Sequence, residues 1–447
     1  MQIYNPPGVQ SVIGAEATAH KGAAGGYASL DADILVPAGQ VPVRRAGYNP
    51  TKLVETLIDP CCVPADWVLA TSPAGRATLT ADTTNYLCND GTNFQSLKVT
   101  ATGAMSWCTI TRTLVAPMDI SGKHIKMQFQ IFPGTPGTAS DYLHILNVTL
   151  HAVDVSGHTR RWYAIYNYTN SDENFPGRHT AYFTPSQPDY THADFDPTQV
   201  AAFYMQIQPK DSVTAYSWQV NLNGLWLITP PATGHVLFLF EAAYQYVKRV
   251  CGYLQSLGLR GNIAVPVTDI GTAGFLTWDD LAALWTAGNF HYMYPNAGAG
   301  SETSWALTLD ADKLPKIHLA RGTLRQYGVV DELGEMCMAV PSSGWNAYDE
   351  TLLGKELAFV PSNIGPQGSY RNRSQACTYG HVGFSLADVS AVDAAGIAAA
   401  AADHSLMIRN WHCNTTANAN LCIDEIDACI AAGLKIITIR DLLTGNL

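Results

Sequence analysis

Residues 237–244 read LFLFEAAY. Four large apolar residues precede an acid, two alanines and a tyrosine, and from Tyr244 the pattern changes from strand to helix. In residues 244–258, YQYVKRVCGYLQSLG, the apolar residues Val247, Val250, Leu254 and Leu257 recur at helical spacing and Gly258 stops the run. The strand NIAVPV comes next. WDDLAALWTAG then reads as a helix, with Thr277 as N-cap and Gly288 as its stop. Further on, KIHLARGTLRQYG gives a helix, EMCMAVP a strand and LMIRNWH a strand. NLCIDEIDACIAAGLKIITIRDLL gives a helix, a strand and the start of another helix. Strand and helix alternate, so residues 231–447 are expected to form parallel strands wrapped by helices.

Upstream the period is different. KHIKMQFQIF, residues 123–132, alternates with Ile125, Met127, Phe129 and Ile131 on one side. AAFYMQIQP and AYSWQVNLNGLWLI are also strand-like, and ISGK, NDGT and NLNG read as turns between strands. Residues 56–230 are therefore expected to be an all-β sandwich. Residues 1–55 are rich in Gly, Ala and Pro and lack a usable period, which predicts an extended connector that leans on a partner.

Composition bounds the function. Lys plus Arg total 26 against 37 Asp plus Glu, a net charge of −11, which argues against general nucleic-acid binding. No apolar run is long enough to cross a bilayer, so no membrane insertion is expected. The start, MQIYNPPGVQ, lacks the pattern of a signal peptide. The 10 cysteines show no paired CxxC spacing and are expected to be reduced. No phosphate-binding glycine loop and no GxSxG elbow is present, and no cofactor is expected.

Three stretches resemble known families. KGAAGGYASLDADILVPAGQVP, residues 21–42, is similar to a segment of bacteriophage tail fibres and tailspikes, through Gly26, Tyr27, Ala28, Leu30, Asp31, Val36, Pro37, Gln40 and Pro42. That resemblance implies a virion location, other phage tail proteins and a homotrimer as partners, and a host surface polysaccharide as ligand. The sandwich stretch, with Pro117-Met118-Asp119-Ile120-Ser121-Gly122-Lys123, resembles carbohydrate-binding jelly-roll modules. The stretch from about 235 to 447 resembles the polysaccharide deacetylase (NodB-like) family. LFLFEAAYQYV stands where that family has its acidic pair, and YLQSLGLRGNIAVPVTDIGTAGFLTWDDLAALWTAGNFHYMYPNAGAG follows its next two elements. MIRNWH stands at the strand ending in histidine, and DEIDACIAAGLKIITIRDLL at its last helix and strand. The implied fold is multidomain: an extended N-terminal segment, a jelly-roll-like sandwich and a distorted β/α barrel.

In that family the second acid and two histidines four residues apart hold a metal, the first acid activates water, and a late histidine acts as acid. Carried over, Glu241 takes the base position, Ala242 the metal-binding acid, Tyr294 and Gly298 the two histidines, and His412 the late acid. Alanine and glycine have no donor atom, so no metal is expected there. Glu241, His412 and Tyr294 are the candidate catalytic residues. His291, Asn296, Trp345, Arg409 and Trp411 are expected to line the same cleft and bind ligand. Asp331, Glu332, Glu335 and Asp349 are candidates for a second carboxylate, which glycoside hydrolysis would need. Two readings of the protein stay open: a virion protein that recognises a host glycan, its cleft either only binding the sugar or also degrading or modifying it, and a deacetylase or metal-free depolymerase outside any virion.

Overall fold

The computed structural model describes residues 53–446, apart from 85–94, 133–144, 166–176, 187, 211, 216–217, 296–308, 340–356, 358–380 and 386–391. Residues 1–52 of the N-terminal connector, Asn296, Trp345 and Asp349 thus lie outside the described residues, and Glu55 at the connector's end already belongs to the first strand.

From β1 (Glu55–Asp59) to β12 (Gln219–Ile228) every strand pairing is antiparallel, in two sheets. The first has the order β3 (Ala77–Asp82), β4 (Ser96–Ala101), β12, β6 (His124–Phe132), β9 (Gly177–Phe183), and β1 also pairs with β12. The second runs β10 (Tyr190–Thr191), β8 (Thr159–Ile165), β7 (Ile145–Asp154), β11 (Val200–Pro209), β5 (Trp107–Met118), β2 (Trp67–Ser72). Alternation sends Ile125, Met127 and Phe129 of one sheet and Leu150, Phe203 and Met205 of the other into a shared core. Ile131 is half-buried against it. One expected turn is corrected: NLNG does not separate strands but lies inside β12. There the pairing with β6 slips by one residue between Leu222 and Gly224. Gly224 takes φ +154°, and a Cβ at this position would stand 2.3 Å from the Trp226 ring, so the glycine marks a bulge.

The remaining strands are parallel: β15 (Phe290–Tyr294), β14 (Asn262–Pro266), β13 (His235–Phe240), β17 (Leu406–Trp411), β16 (His381–Ser385) in that spatial order. β18 (Lys435–Ile437) flanks the first half of β13, and β14 flanks its end. Beyond β15, Met293 bridges Met338 in parallel. Over its described residues, 335–339, the expected strand EMCMAVP is reduced to this bridge, after a 3-10 turn at Gly334–Met336. β13 pairs with β17 and β18, both from the far end of the chain, so the sheet is not laid out in chain order, and most of 340–380 lies outside the described residues. What the described residues form is an open six-stranded sheet.

Among the described residues six helices accompany it: α1 (Val247–Ser256), α2 (Trp278–Thr286), α3 (Asp310–Gln326), α4 (Ala394–Asp403), α5 (Thr416–Ala431) and α6 (Ile439–Thr444). Thr277 caps α2 in a reciprocal box with Asp280, as its sequence position predicts. Val236, Phe238, Phe240, Ile263, Val265, Met293, Met407 and Trp411 face this layer and pack on Val250, Leu254, Leu281, Ile317 and Ile426. The eight described cysteines are buried. No described helix is long and apolar enough to cross a membrane.

Asp403, at the end of α4, ties sandwich to parallel sheet. Its carbonyl is 2.8 Å from His124 Nε2, and its carboxylate accepts from the Ser186 N–H at 3.0 and 3.1 Å. Gly234 leads into β13 so close to α4 that a Cβ would stand 2.5 Å from the Ala400 carbonyl oxygen. Backbone cannot swing aside, so Gly234→Ala is expected to cost about 1–3 kcal/mol, read as a lowered urea midpoint at unchanged slope.

Candidate functional site at the end of the parallel strands

The alternation that puts Phe238 and Phe240 under the helices puts Leu237, Leu239 and Glu241 on the other side of the sheet. In β17 it puts Met407, Arg409 and Trp411 towards the helices and Ile408, Asn410 and His412 beside Glu241. Parallel pairing of Leu239 with Asn410 and Phe240 with Trp411 aligns the two strand ends. Asn410 Nδ2 donates to Glu241 Oε2, and His412 Nε2 stands 3.3 Å from the same oxygen. Glu241 is 9% exposed. The structure therefore brings together Glu241 and His412, two residues far apart in sequence.

The turn after β13 is held in an uncommon conformation. Ala242 and Ala243 have φ +65° and +47°, a region that costs an alanine about 1 kcal/mol or more. The loop after β14 fixes it. Leu276 N–H donates to the Ala243 carbonyl at 3.0 Å, and Gln245 N–H to Gly274 at 2.9 Å. Tyr244 stacks on Phe275, with ring centroids 5.0 Å apart, and meets His412 edge-on at 5.8 Å. The Ala242 side chain offers no donor atom. Tyr294 is buried on the Glu241 face of β15, and Gly298 lies outside the described residues.

Three expected ligand-binding residues sit elsewhere, a correction with one cause. His291, Arg409 and Trp411 are at most 1% exposed and occupy the helix side of their strands. His291 Nδ1–H donates to the Val329 carbonyl at 3.0 Å. Arg409 and Trp411 both bind Glu425 of α5. Side chains one residue apart in a strand face opposite ways, so Arg409 and Trp411 cannot share a cleft with Asn410 and His412. Two of the candidate second carboxylates, Asp331 and Glu335, are committed elsewhere. Asp331 pairs with Arg440 at 2.6 Å and accepts from Gly334 N–H at 2.9 Å, and Glu335 pairs with Arg325. Glu332 raises the Arg325 guanidinium, behind the larger effect of Glu335.

Four residues of this region escape the sequence reading: Asn410, Tyr244, Tyr292 and Asp269. Period-two alternation in RNWH was the available signal for Asn410, and in HYMY for Tyr292. Tyr292 is 1% exposed, and burial, then the Glu241 charge, pushes its hydroxyl well above the ordinary phenol value. Asp269 lies in the loop that pairs with 243–245, and burial raises its carboxyl.

Burial pushes His291 down to about 3. The folded protein therefore holds this ring neutral, while the unfolded chain takes up a proton below about 6.5. Its contribution is complete above that value and is lost as the pH falls towards about 3, at about 1.4 kcal/mol per pH unit. Between pH 6.5 and 5 wild type is expected to lose about 2 kcal/mol more than His291→Leu, measured by urea unfolding at both values.

A second polar and aromatic surface lies on the outer face of the second sandwich sheet. Arg161 sits over the Tyr163 and Tyr190 rings, at 5.4 and 5.9 Å, and pairs with Asp189. His151 stacks on Tyr204 at 4.1 Å.

No family model matches the chain, and no curated protein matches it. Solved structures that resemble parts of it include polysaccharide deacetylases, carbohydrate-binding modules and a phage tailspike domain. The chitin deacetylase of Colletotrichum lindemuthianum is similar over 48% of this chain and 89% of its own, at 13% identity and TM-score 0.35. A family 11 carbohydrate-binding module from Clostridium thermocellum is similar over 40% of this chain and 97% of its own, at 12% identity and TM-score 0.26. The enzymatically active domain of tailspike protein 4 from bacteriophage CBA120 is similar over 38% of this chain, at 12% identity and TM-score 0.26. The chain spans 21% of that domain's length, and 22% of PfGH50B. No score here reaches 0.5, and no property of these proteins transfers to the chain on that basis.

Proposed function

We propose that this is a bacteriophage tail fibre or tailspike protein that recognises a host surface polysaccharide and acts on it at Glu241 and His412 without a bound metal. The observation that carries the reading is the 3.3 Å approach of His412 Nε2 to Glu241 Oε2 at the C-terminal ends of parallel strands, where such folds place their sites. A carboxylate and an imidazole in contact supply a proton acceptor and a proton donor, the minimum for general acid–base chemistry on a sugar. Asn410 fixes the carboxylate, and the half-buried Tyr244, edge-on to His412, offers an aromatic face of the kind that packs on a sugar. Ala242, where the deacetylase pattern has a ligand, supports metal independence. The tail-fibre-like residues 21–42 support the virion assignment.

The test uses the purified full chain and bacterial surface polysaccharides, with acetate and reducing ends followed in the presence and absence of EDTA. Product formation unaffected by EDTA, from a protein that sediments as a homotrimer, is the expected result. Activity abolished by EDTA and restored by zinc would overturn the metal-free part. A monomer would overturn the virion part. Binding by the sandwich is expected to contribute separately: Tyr163→Ala should weaken glycan affinity without changing the rate at saturating glycan.

A further inference from the structure

The β7–β8 hairpin turns through Val155–His158, and the segment from Tyr190 to Gln199 passes alongside it. Val155 N–H donates to the Gln199 carbonyl at 3.0 Å, and His192 N–H to Thr159 at 2.9 Å. Asp154, at the end of β7, is 3% exposed and joins both pieces. Its Oδ1 accepts from the N–H groups of Ser156 and His158, each at 2.9 Å, and its Oδ2 from the Asp196 N–H at 3.0 Å. The same Oδ2 is 3.2 Å from His158 Nδ1. A carboxylate held by three backbone donors is a fixed acceptor. It draws the His158 proton to Nδ1 and leaves the Nε2 lone pair directed away from Asp154.

Against this ring lies a second one. His192 stacks on His158 with centroids 4.3 Å apart and planes 9° from parallel. Asp194 donates its backbone N–H to His192 Nδ1 at 3.2 Å, and its Oδ2 is 3.8 Å from that nitrogen. One ligand atom from each of His158, His192 and Asp194 falls within 4.8 Å of the other two. Two imidazoles and a carboxylate are three donors of a tetrahedral set with one position open, and a carboxylate behind one imidazole is the usual outer support of such a site. The mixed nitrogen and oxygen set suits zinc and its transition-metal neighbours, whereas calcium and magnesium take oxygen.

We propose that His158, His192 and Asp194 form a site for a divalent transition-metal ion of the zinc class, with Asp154 as the positioning residue. A metal cannot lie in the planes of two parallel rings at once, so binding turns one of them. His158 is held by Asp154. The His192 and Asp194 side chains, 40% and 77% exposed, are the parts able to move. The bound ion clips the β7–β8 turn to the segment that leads into β11. This site belongs to the sandwich and does not depend on the function proposed for Glu241 and His412.

The test takes the full chain, stripped with chelator, and titrates it with Co2+ while following visible absorption, then with Zn2+, Ca2+ and Mg2+ while following the unfolding midpoint. A tetrahedral-type Co2+ spectrum displaced by Zn2+ is expected, with a midpoint raised by Zn2+ and unmoved by Ca2+ or Mg2+. His192→Ala and Asp194→Asn, both at exposed positions, are expected to weaken Zn2+ binding at least tenfold. Asp154→Asn is expected to weaken it roughly 10–100-fold. Absence of any Co2+ spectrum and of any Zn2+-dependent midpoint shift overturns the proposal. So does Zn2+ binding that His192→Ala leaves intact, or that His412→Ala abolishes.

Discussion

Glu425→Ala is expected to destabilise the parallel-sheet region more than any other single change considered above. Glu425 is fully buried beneath the sheet, and four groups converge on its carboxylate. Arg409 Nε donates to Oε2 at 2.9 Å, and Trp411 Nε1 donates to the same oxygen at 2.9 Å. Asp393 N–H donates to Oε1 at 3.0 Å. Arg409 Nη2 lies 2.8 Å from Oε1, outside hydrogen-bonding geometry and so as an ionic contact. Asp393 adds a carboxylate oxygen 3.5 Å from Nη1, at the half-exposed edge. Without Glu425, a guanidinium that is 1% exposed keeps one distant partner, and an indole N–H and a backbone N–H lose their acceptors. Breaking a buried pair from one side costs about 3–5 kcal/mol, against a total margin of about 5–15 kcal/mol for a domain. Urea unfolding followed by tryptophan fluorescence measures it. A loss below about 1 kcal/mol would show that the cluster contributes little. Arg409→Leu with Glu425→Leu is expected to cost much less than the two single changes summed, because the pair leaves no charge behind.

The second large effect concerns turnover. Glu241→Gln preserves the size of the side chain and keeps an oxygen for Asn410, but removes the basic carboxylate. If Glu241 accepts a proton in the reaction, product formation from the glycan is expected to fall about 10²–10⁴-fold. His412→Ala should cause a similar fall. The double variant should be little worse than either single one, since an acid and a base in contact act as a unit. Glycan affinity, measured by calorimetry, is expected to stay within a few fold of wild type. That separates a catalytic pair from a purely binding one, for which affinity would fall and no turnover would exist to lose. Near-normal turnover by Glu241→Gln would remove Glu241 from the chemistry. Asn410→Ala gives a finer check. It frees Glu241 Oε2 from its amide partner, so turnover should fall less than in Glu241→Gln, with a changed pH profile.

Much of the fold was legible because local physics wrote it. Helical spacing in VKRVCGYLQS, the Thr277 cap and the Gly258 stop all act within a few residues, and the structure keeps each of them. The same holds for the period of two in HIKMQFQIF. NLNG shows the limit. Its residues have turn chemistry, but pairing on both sides of β12 outweighs it, and the chain absorbs the conflict as a bulge at Gly224.

The site divides in the same way. The sequence alone determined that an acid closes one apolar strand, that two alanines follow the acid, and that a histidine follows another strand. It did not decide which neighbours share a face with them, because that depends on strand register and on what the opposite face packs against. Arg409 and Trp411 look like sugar-binding residues by type, yet the tertiary structure spends them on Glu425 under α5. Asn410, an unremarked polar residue between them, becomes the partner of Glu241. The contact of His412 with Glu241, across 171 residues of chain, exists because β17 pairs in parallel with β13 and aligns their ends. That pairing is a long-range choice, made by the core beneath the sheet, and no local stretch of sequence carries it.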